Sequence, residues 1–188
     1  MPKIVDRDLY RKELLGKCFD LFASKGYASI TMREIAQKLG VSTGTLYHYF
    51  PSKEALFEQL VEELYQQDMV RVAAELEKAS SLAERIEAAF DFIAKNEDYL
   101  LKQMLISMDF YQQQGREKVR QNQVFKRIGE RARSEIANLL GIEDTNLVIF
   151  VLALIDGLIL ARLYHGETLS LASQGVLLKN MIMAYLKN

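Results

Sequence analysis

From Thr31 to Ser52 the chain reads TMREIAQKLGVSTGTLYHYFPS, and its punctuation leaves little choice of local structure. Thr31 followed three residues later by Glu34 is a capping box: the threonine hydroxyl takes an orphan amide of the first turn, and the glutamate reaches back to the threonine amide. Ile35, Ala36 and Leu39 then recur at helical spacing, and Gly40 supplies a stop. Only Gly40 and Val41 separate this helix from a second cap, Ser42, so Thr43 to Phe50 starts again as a helix of about two turns. Pro51 breaks it, and Ser52 caps a longer helix running through Glu54 toward Lys78. Two short helices joined by a tight glycine turn make a helix-turn-helix arrangement, a pattern shared by DNA readers and plain helical hairpins.

The rest of the chain is punctuated in the same way. Leu14, Leu15, Cys18, Phe19, Leu21 and Phe22 mark an amphipathic helix over Asp8 to Lys25, with Gly26 as its stop. Further helices are predicted over Leu82 to Lys95, Tyr99 to Phe110, the cation-rich Glu117 to Leu140, an apolar helix capped by Asp144 and running through Tyr164, and Ser170 to Leu186. No stretch alternates β-branched and polar residues over a useful length, and there are only two prolines. The expected fold is all-α, with about nine helices.

Several functions are excluded by what the chain lacks. Cys18 is alone, so no intrachain disulfide and no cysteine-based metal cluster can form. Two well-separated histidines and the absence of a phosphate-cradling glycine loop leave no constellation for hydrolysis, metal or nucleotide chemistry, so no catalytic residue, metal or cofactor is expected. Glu62 and Glu63 are adjacent on a helix and read as a solvated face, and His165 as structural. The N-terminus, MPKIVDRDLYRKELL, lacks the basic head and apolar core of a signal peptide. The apolar run Leu147 to Ala161 is shorter than the ~20 residues a bilayer span needs and contains Asp156 and Gly157, so it reads as a buried or interface helix. A cytoplasmic protein without a membrane partner is expected. Net charge is −1, but residues 1–60 carry a balance of +2 against −3 for the remainder, a mild bias of positive charge toward the helix-turn-helix.

On the second short helix, Leu46 and Phe50 share a face and can pack inward. The helix cannot bury Tyr47, His48 and Tyr49 as well, and DNA offers each exposed group a partner. Ser42 and Thr43 present hydroxyls at a helix start that favours phosphate. Gly44 permits close backbone approach to a base edge, and Thr45 adds a hydroxyl or methyl contact. Tyr47, His48 and Tyr49 reach flanking phosphates, and Lys53 adds a phosphate-seeking cation. Tyr49 suits a small three-helix core equally well.

The run SKGYASITMREIAQKLGVSTGTLYHYFPSKEAL resembles the DNA-binding signature of the tetracycline-repressor family of bacterial regulators. Phe22, Gly26, Thr31, Ile35, Ala36, Gly40, Val41, Ser42, Gly44, Thr45, Leu46, Tyr47, Tyr49, Phe50, Ser52, Lys53, Glu54 and Leu56 occur in the family's order and spacing. Tyr49 stands where relatives often have histidine. The resemblance implies a three-helix DNA-binding domain over residues 1–53, with Thr43 to Tyr49 as recognition helix, and an effector-binding and dimerisation domain over residues 54–188. It implies phosphate contacts from Thr31 and Ser42 and base-proximal roles for Thr43, Gly44 and Thr45. Tyr47, His48, Tyr49 and Lys53 become backbone clamps, and Arg33 reaches base or phosphate.

The same resemblance implies a repressor that binds a palindromic double-stranded operator as a homodimer and leaves it on binding a small effector. Two very apolar C-terminal helices, Leu147 to Tyr164 and Gly175 to Leu186, suit pairing with their copies as a four-helix bundle. Phe90, Ile93, Tyr99, Met104, Met108, Phe110, Tyr111 and Phe125 are the candidate lining of a pocket for an apolar effector, since methionine and aromatic side chains make adaptable surfaces.

Overall fold

The computed structural model describes residues 6–187 of the chain, and the first five residues of the N-terminal segment read above lie outside it. Among the described residues there are ten α-helices, one short 3-10 turn and no strand. They form two compact units, one of Met1–Gln67 with Leu105–Ile128, the other of Asp68–Met104 with Gly129–Asn188.

In the first unit, α1 (Arg7–Lys25) starts one residue earlier than the periodicity suggests, because Asp6 accepts from the amides of Asp8 and Leu9. Gly26 ends it at φ +78°. Helices α2 (Met32–Leu39) and α3 (Thr43–Tyr49) follow the punctuation closely. The Thr31–Glu34 capping box is fully formed, and Gly40 adopts the left-handed conformation. Its amide bonds Gln37 O while Val41 N bonds Ala36 O at 3.0 Å, the paired bonds of a Schellman stop. Phe50, before Pro51, is forced extended, and α4 (Lys53–Leu76) then begins with Ser52 Oγ accepting from Ala55 N. Leu15, Cys18, Phe22, Ile35, Leu46, Phe50, Phe57 and Leu60 are buried together as the unit's apolar core. Each such side chain contributes about 1.5–3 kcal/mol of burial.

Residues 105–128 complete this unit. Phe110, near the end of α6 (Glu97–Gln114), stacks on Phe57 at 4.6 Å between ring centroids and meets Tyr27 edge-on at 4.9 Å. The single helix predicted over Glu117 to Leu140 is instead two, α7 (Arg116–Gln121) and α8 (Gln123–Leu140). Asn122 leaves the helical region and caps α8 by accepting from Val124 N and Phe125 N. An asparagine in a strongly helical run was the signal for this break, and the cation-rich periodicity masked it.

In the second unit, α5 (Leu82–Lys95), α8, α9 (Thr145–His165) and α10 (Leu171–Tyr185) enclose a core containing Ile86, Phe90, Leu140, Val148, Val151, Leu178 and Ile182. The approach of α10 to α5 depends on Gly175, where an added Cβ would lie 2.7 Å from Phe90 Cγ. Arg162 holds the end of α9 through a two-pronged pair with Glu97, at 2.5 and 2.8 Å, and donates to Leu169 O at 3.0 Å. Helix α9 is longer than its apolar run, and Thr145–Thr168 is long and apolar enough, by length and composition, to cross a membrane. Its outer face is not uniformly apolar, since Asp156 and Gly157 both lie exposed on it.

Candidate nucleic-acid interface

Helix α3 divides as its spacing suggests: Leu46 and the following Phe50 are buried, whereas Thr43, Gly44, Tyr47 and His48 are exposed. Ser42 Oγ accepts from Thr45 N at 2.9 Å and lies 2.8 Å from Thr45 Oγ1. The Thr45 hydroxyl is therefore turned back into the cap and half-buried, not presented outward beside Thr43 and Gly44. Thr31 is exposed at the start of α2, and its hydroxyl donates to Glu34 Oε2 at 2.8 Å. Those Thr31 bonds, the backbone amide first, hold the Glu34 carboxyl below its usual range, with Lys25 adding to the effect. Arg33 is exposed one position into α2.

Two of the predicted clamps sit differently. Tyr49 is half-buried and packs edge-on against Tyr10 of α1 at 5.6 Å, with the Arg7 guanidinium 5.9 Å from its ring centroid. It joins α3 to α1, the core role that its tyrosine ring also suited. Lys53 is a larger departure. Its Nζ donates to the carbonyls of Tyr27 at 2.7 Å, Ala28 at 3.4 Å and Ile30 at 2.9 Å, and lies 4.5 Å from the Tyr27 ring centroid. The three donors of an ammonium are thus directed at the loop between α1 and α2, not at solvent phosphate. Burial pushes its pKa below the ordinary value, with the charges of Asp109 and Glu34 opposing.

Sequence reasoning missed the other side of that loop. Asp109 of α6 accepts from Ala28 N at 3.1 Å, and Gln114 donates to the Tyr27 hydroxyl at 3.2 Å. An added Cβ on Gly26 would lie 2.8 Å from Asp109 Oδ2, so this glycine is required by close approach as well as by its positive φ. No local signal announces contacts between residues more than eighty positions apart in sequence.

The eight candidate pocket residues are divided between the two units. In the second unit Phe90 packs on Gly175, Met104 packs on the Ile93–Ile159–Leu171 cluster, and Tyr99 is half-buried beneath Arg71. In the first unit Phe110 is core, Phe125 packs on Phe110 and Tyr111, and Met108 and Tyr111 are exposed. An apolar groove of about 300 Å³ instead lies between α9 and α10, lined by Asn146, Leu147, Phe150, Met181, Ile182 and Tyr185. Among the described residues no cluster of three or more His, Cys, Asp or Glu side chains is arranged to hold a metal.

Residues 14–60, from the middle of α1 through the first turns of α4, match the model for "Bacterial regulatory proteins, tetR family". Over its whole length the chain is 27% identical to the HTH-type transcriptional regulator BetI of Agrobacterium fabrum, covering 93% of that protein. The fold matches that of a transcriptional regulator from Saccharomonospora viridis solved in complex with choline, with a TM-score of 0.68 and 22% identity over 94% of this chain and 97% of that one. It also matches FadR of Bacillus subtilis in complex with stearoyl-CoA, with a TM-score of 0.69 and 17% identity over 90% and 96% of the two chains. These relatives are regulators, not enzymes.

Proposed function

We propose that the chain is a transcriptional repressor of the tetR type, binding a palindromic operator as a dimer and released by a small effector; the match of residues 14–60 to that family's model and the full-length similarity to a transcriptional regulator support this. The observation that carries this reading is α3: a helix anchored by buried Leu46 and Phe50 that leaves Thr43, Gly44, Tyr47 and His48 outward. Thr43 and Gly44 form a slim leading end for the major groove, with Thr45 serving the cap. Tyr47, His48, Thr31, Ser42 and Arg33 flank it as backbone contacts. Tyr49 and Lys53 act beneath this surface, fixing α3 and the α1–α2 loop. Residues 1–53 are assigned to DNA binding and 54–188 to effector binding and dimerisation.

Pairing of α9 and α10 with their copies supports the dimer. Ile149, Phe150, Val176, Leu177 and Met181 are each close to half exposed in the isolated chain, and burying them together is favourable. A two-fold pair also spaces two recognition helices one or more DNA turns apart. The fold carries choline in one relative and stearoyl-CoA in another, and for this chain we assign a small effector with an apolar body. DNA as the target places the protein in the cytoplasm.

The test is gel shift and anisotropy with the DNA upstream of its own gene, from low to physiological salt. A salt-sensitive complex with an inverted repeat is expected. Tyr47→Ala should lose affinity with dimerisation and melting temperature unchanged, and Leu177→Asp should give monomers that bind poorly. No shift at low salt on any upstream fragment would sink the reading.

A further inference from the structure

In the second unit one carboxylate is withdrawn from water beside an aromatic ring. The Asp68 side chain, on α4, is only 15% exposed, and its Oδ1 is sealed from solvent. Gln103 of α6 donates to Oδ2 at 2.7 Å. Burial pushes the Asp68 carboxyl above its usual range, and Gln103, Tyr99 and, least of all, Arg71 pull the other way. The Tyr99 phenol is pushed up to about 12, by burial first and then by the Asp68 charge, so its ring stays neutral.

Arg71 lies against both groups. Its guanidinium carbon lies 5.5 Å from the Tyr99 ring centroid, and its Nη1 is 3.6 Å from Asp68 Oδ1, too far for a hydrogen bond. A carboxylate edge and an aromatic face converging on one weakly hydrated cation are the two elements by which proteins recognise organic ammonium groups. Yet Arg71 holds the place loosely: it is half exposed and only three residues from Asp68 on the same helix. One position round α6, Leu100 and Met104 join the apolar cluster of Ile93, Ile159 and Leu171, a surface suited to the body of a ligand.

We propose that Asp68 and Tyr99 form the head-group subsite of the effector, taking a monovalent organic cation such as a quaternary or protonated amine, with Arg71 as the side chain that the ligand displaces. The inference rests on the effector-released reading and adds the charge that the effector's apolar body must carry.

Binding is measured by calorimetry on the full-length protein with tetraethylammonium, choline and dimethylbutanol, the uncharged carbon isostere of choline. At least one cation should bind and the isostere should not. Asp68→Asn should weaken the cation by more than about tenfold. Arg71→Ala should tighten it by about threefold or more, because a competing internal cation has been removed. A merely structural Asp68–Arg71 pair predicts no tightening by Arg71→Ala, so that variant decides the matter even if Asp68→Asn folds poorly. Equal binding of choline and its isostere, no binding of either cation, or unchanged or weaker cation binding by Arg71→Ala overturns the proposal. DNA binding by the unliganded protein is followed in parallel. Failure of the regulator reading would appear there, as absent DNA binding, whatever the cations do.

Discussion

Replacing Lys53 with methionine separates two physical roles that one motif position permits. The stem would be retained and the ammonium lost. Two of its bonds, to Tyr27 O at 2.7 Å and Ile30 O at 2.9 Å, are well formed, while the third, to Ala28 O at 3.4 Å, is marginal. Hydrogen bonds from a charged donor are worth about 1.5–3 kcal/mol each, and the partial exposure of this site argues for the lower end. Allowing a further ~0.5 kcal/mol for the cation over the Tyr27 ring, the variant should lose about 2–4 kcal/mol of stability. For a chain of this size that corresponds to a melting temperature lower by about 4–16 °C. Operator affinity should fall as well, because the loop that leads into α2 is no longer held. The decisive quantity is the slope of log affinity against log salt. A lysine that neutralises one phosphate contributes about −0.9 to that slope, whereas a lysine spent on carbonyls contributes none. The expected result is therefore a less stable protein with an unchanged slope. A slope shallower by about 0.9 with an unchanged melting temperature would refute the structural assignment and restore Lys53 as a phosphate clamp.

Gly175→Ala should destabilise the second unit by about 1–3 kcal/mol, since its Cβ would meet Phe90 at 2.7 Å, and Phe90→Leu should recover part of the loss in thermal melts. The Tyr185 hydroxyl first, then the Leu147 and Asn146 amides, hold the Asp144 carboxyl below its usual range, and Thr31 does the same for Glu34. A carboxyl with a depressed folded-state pKa stabilises the fold above its ordinary pKa and loses that contribution as pH falls through the depressed value. Melting curves from pH 6 down to ~2.5 should thus show Asp144→Asn flattening the acid-side loss; an identical acid limb would contradict it. Cys18 is fully buried and its thiol is pushed up to about 12, so iodoacetamide should label it only after denaturation, and prompt labelling of the native protein would contradict that burial.

What was legible along the chain followed a consistent line. Caps and stops are contacts between residues within five positions, so Thr31–Glu34, Gly40, Ser42 and Asp144 announced their helices directly. Asn122 belongs to the same class of signal, but a cap inside a strongly periodic run competes with the helix on both sides of it. The outward set on α3 was readable because Leu46 and Phe50 claim one face of a two-turn helix. Thr45 was not, because the choice between facing a partner and closing its own cap depends on a rotamer, not on spacing. The environments of the candidate pocket residues were not legible for a related reason. Methionine and aromatic residues mark surfaces that need an apolar neighbour, and only packing says whether that neighbour is core, as for Phe110, or solvent, as for Tyr111 and Met108.

By itself, then, the order of residues determined an all-helical chain, the bounds of its short helices and the presence of a family helix-turn-helix, since each rests on local hydrogen bonds or on a contiguous motif. Tertiary structure alone decided what the long polar side chains do. Lys53 was free to meet a phosphate until the carbonyls of residues 27, 28 and 30 came within its reach. Asp109 became a partner of Ala28 only once α6 had folded against the α1–α2 loop. Asp68 met Gln103 and Tyr99 in the same way, across more than thirty residues of chain. A flexible charged side chain takes whichever partner folding brings within about 3 Å, and nothing in its sequence neighbourhood names that partner in advance.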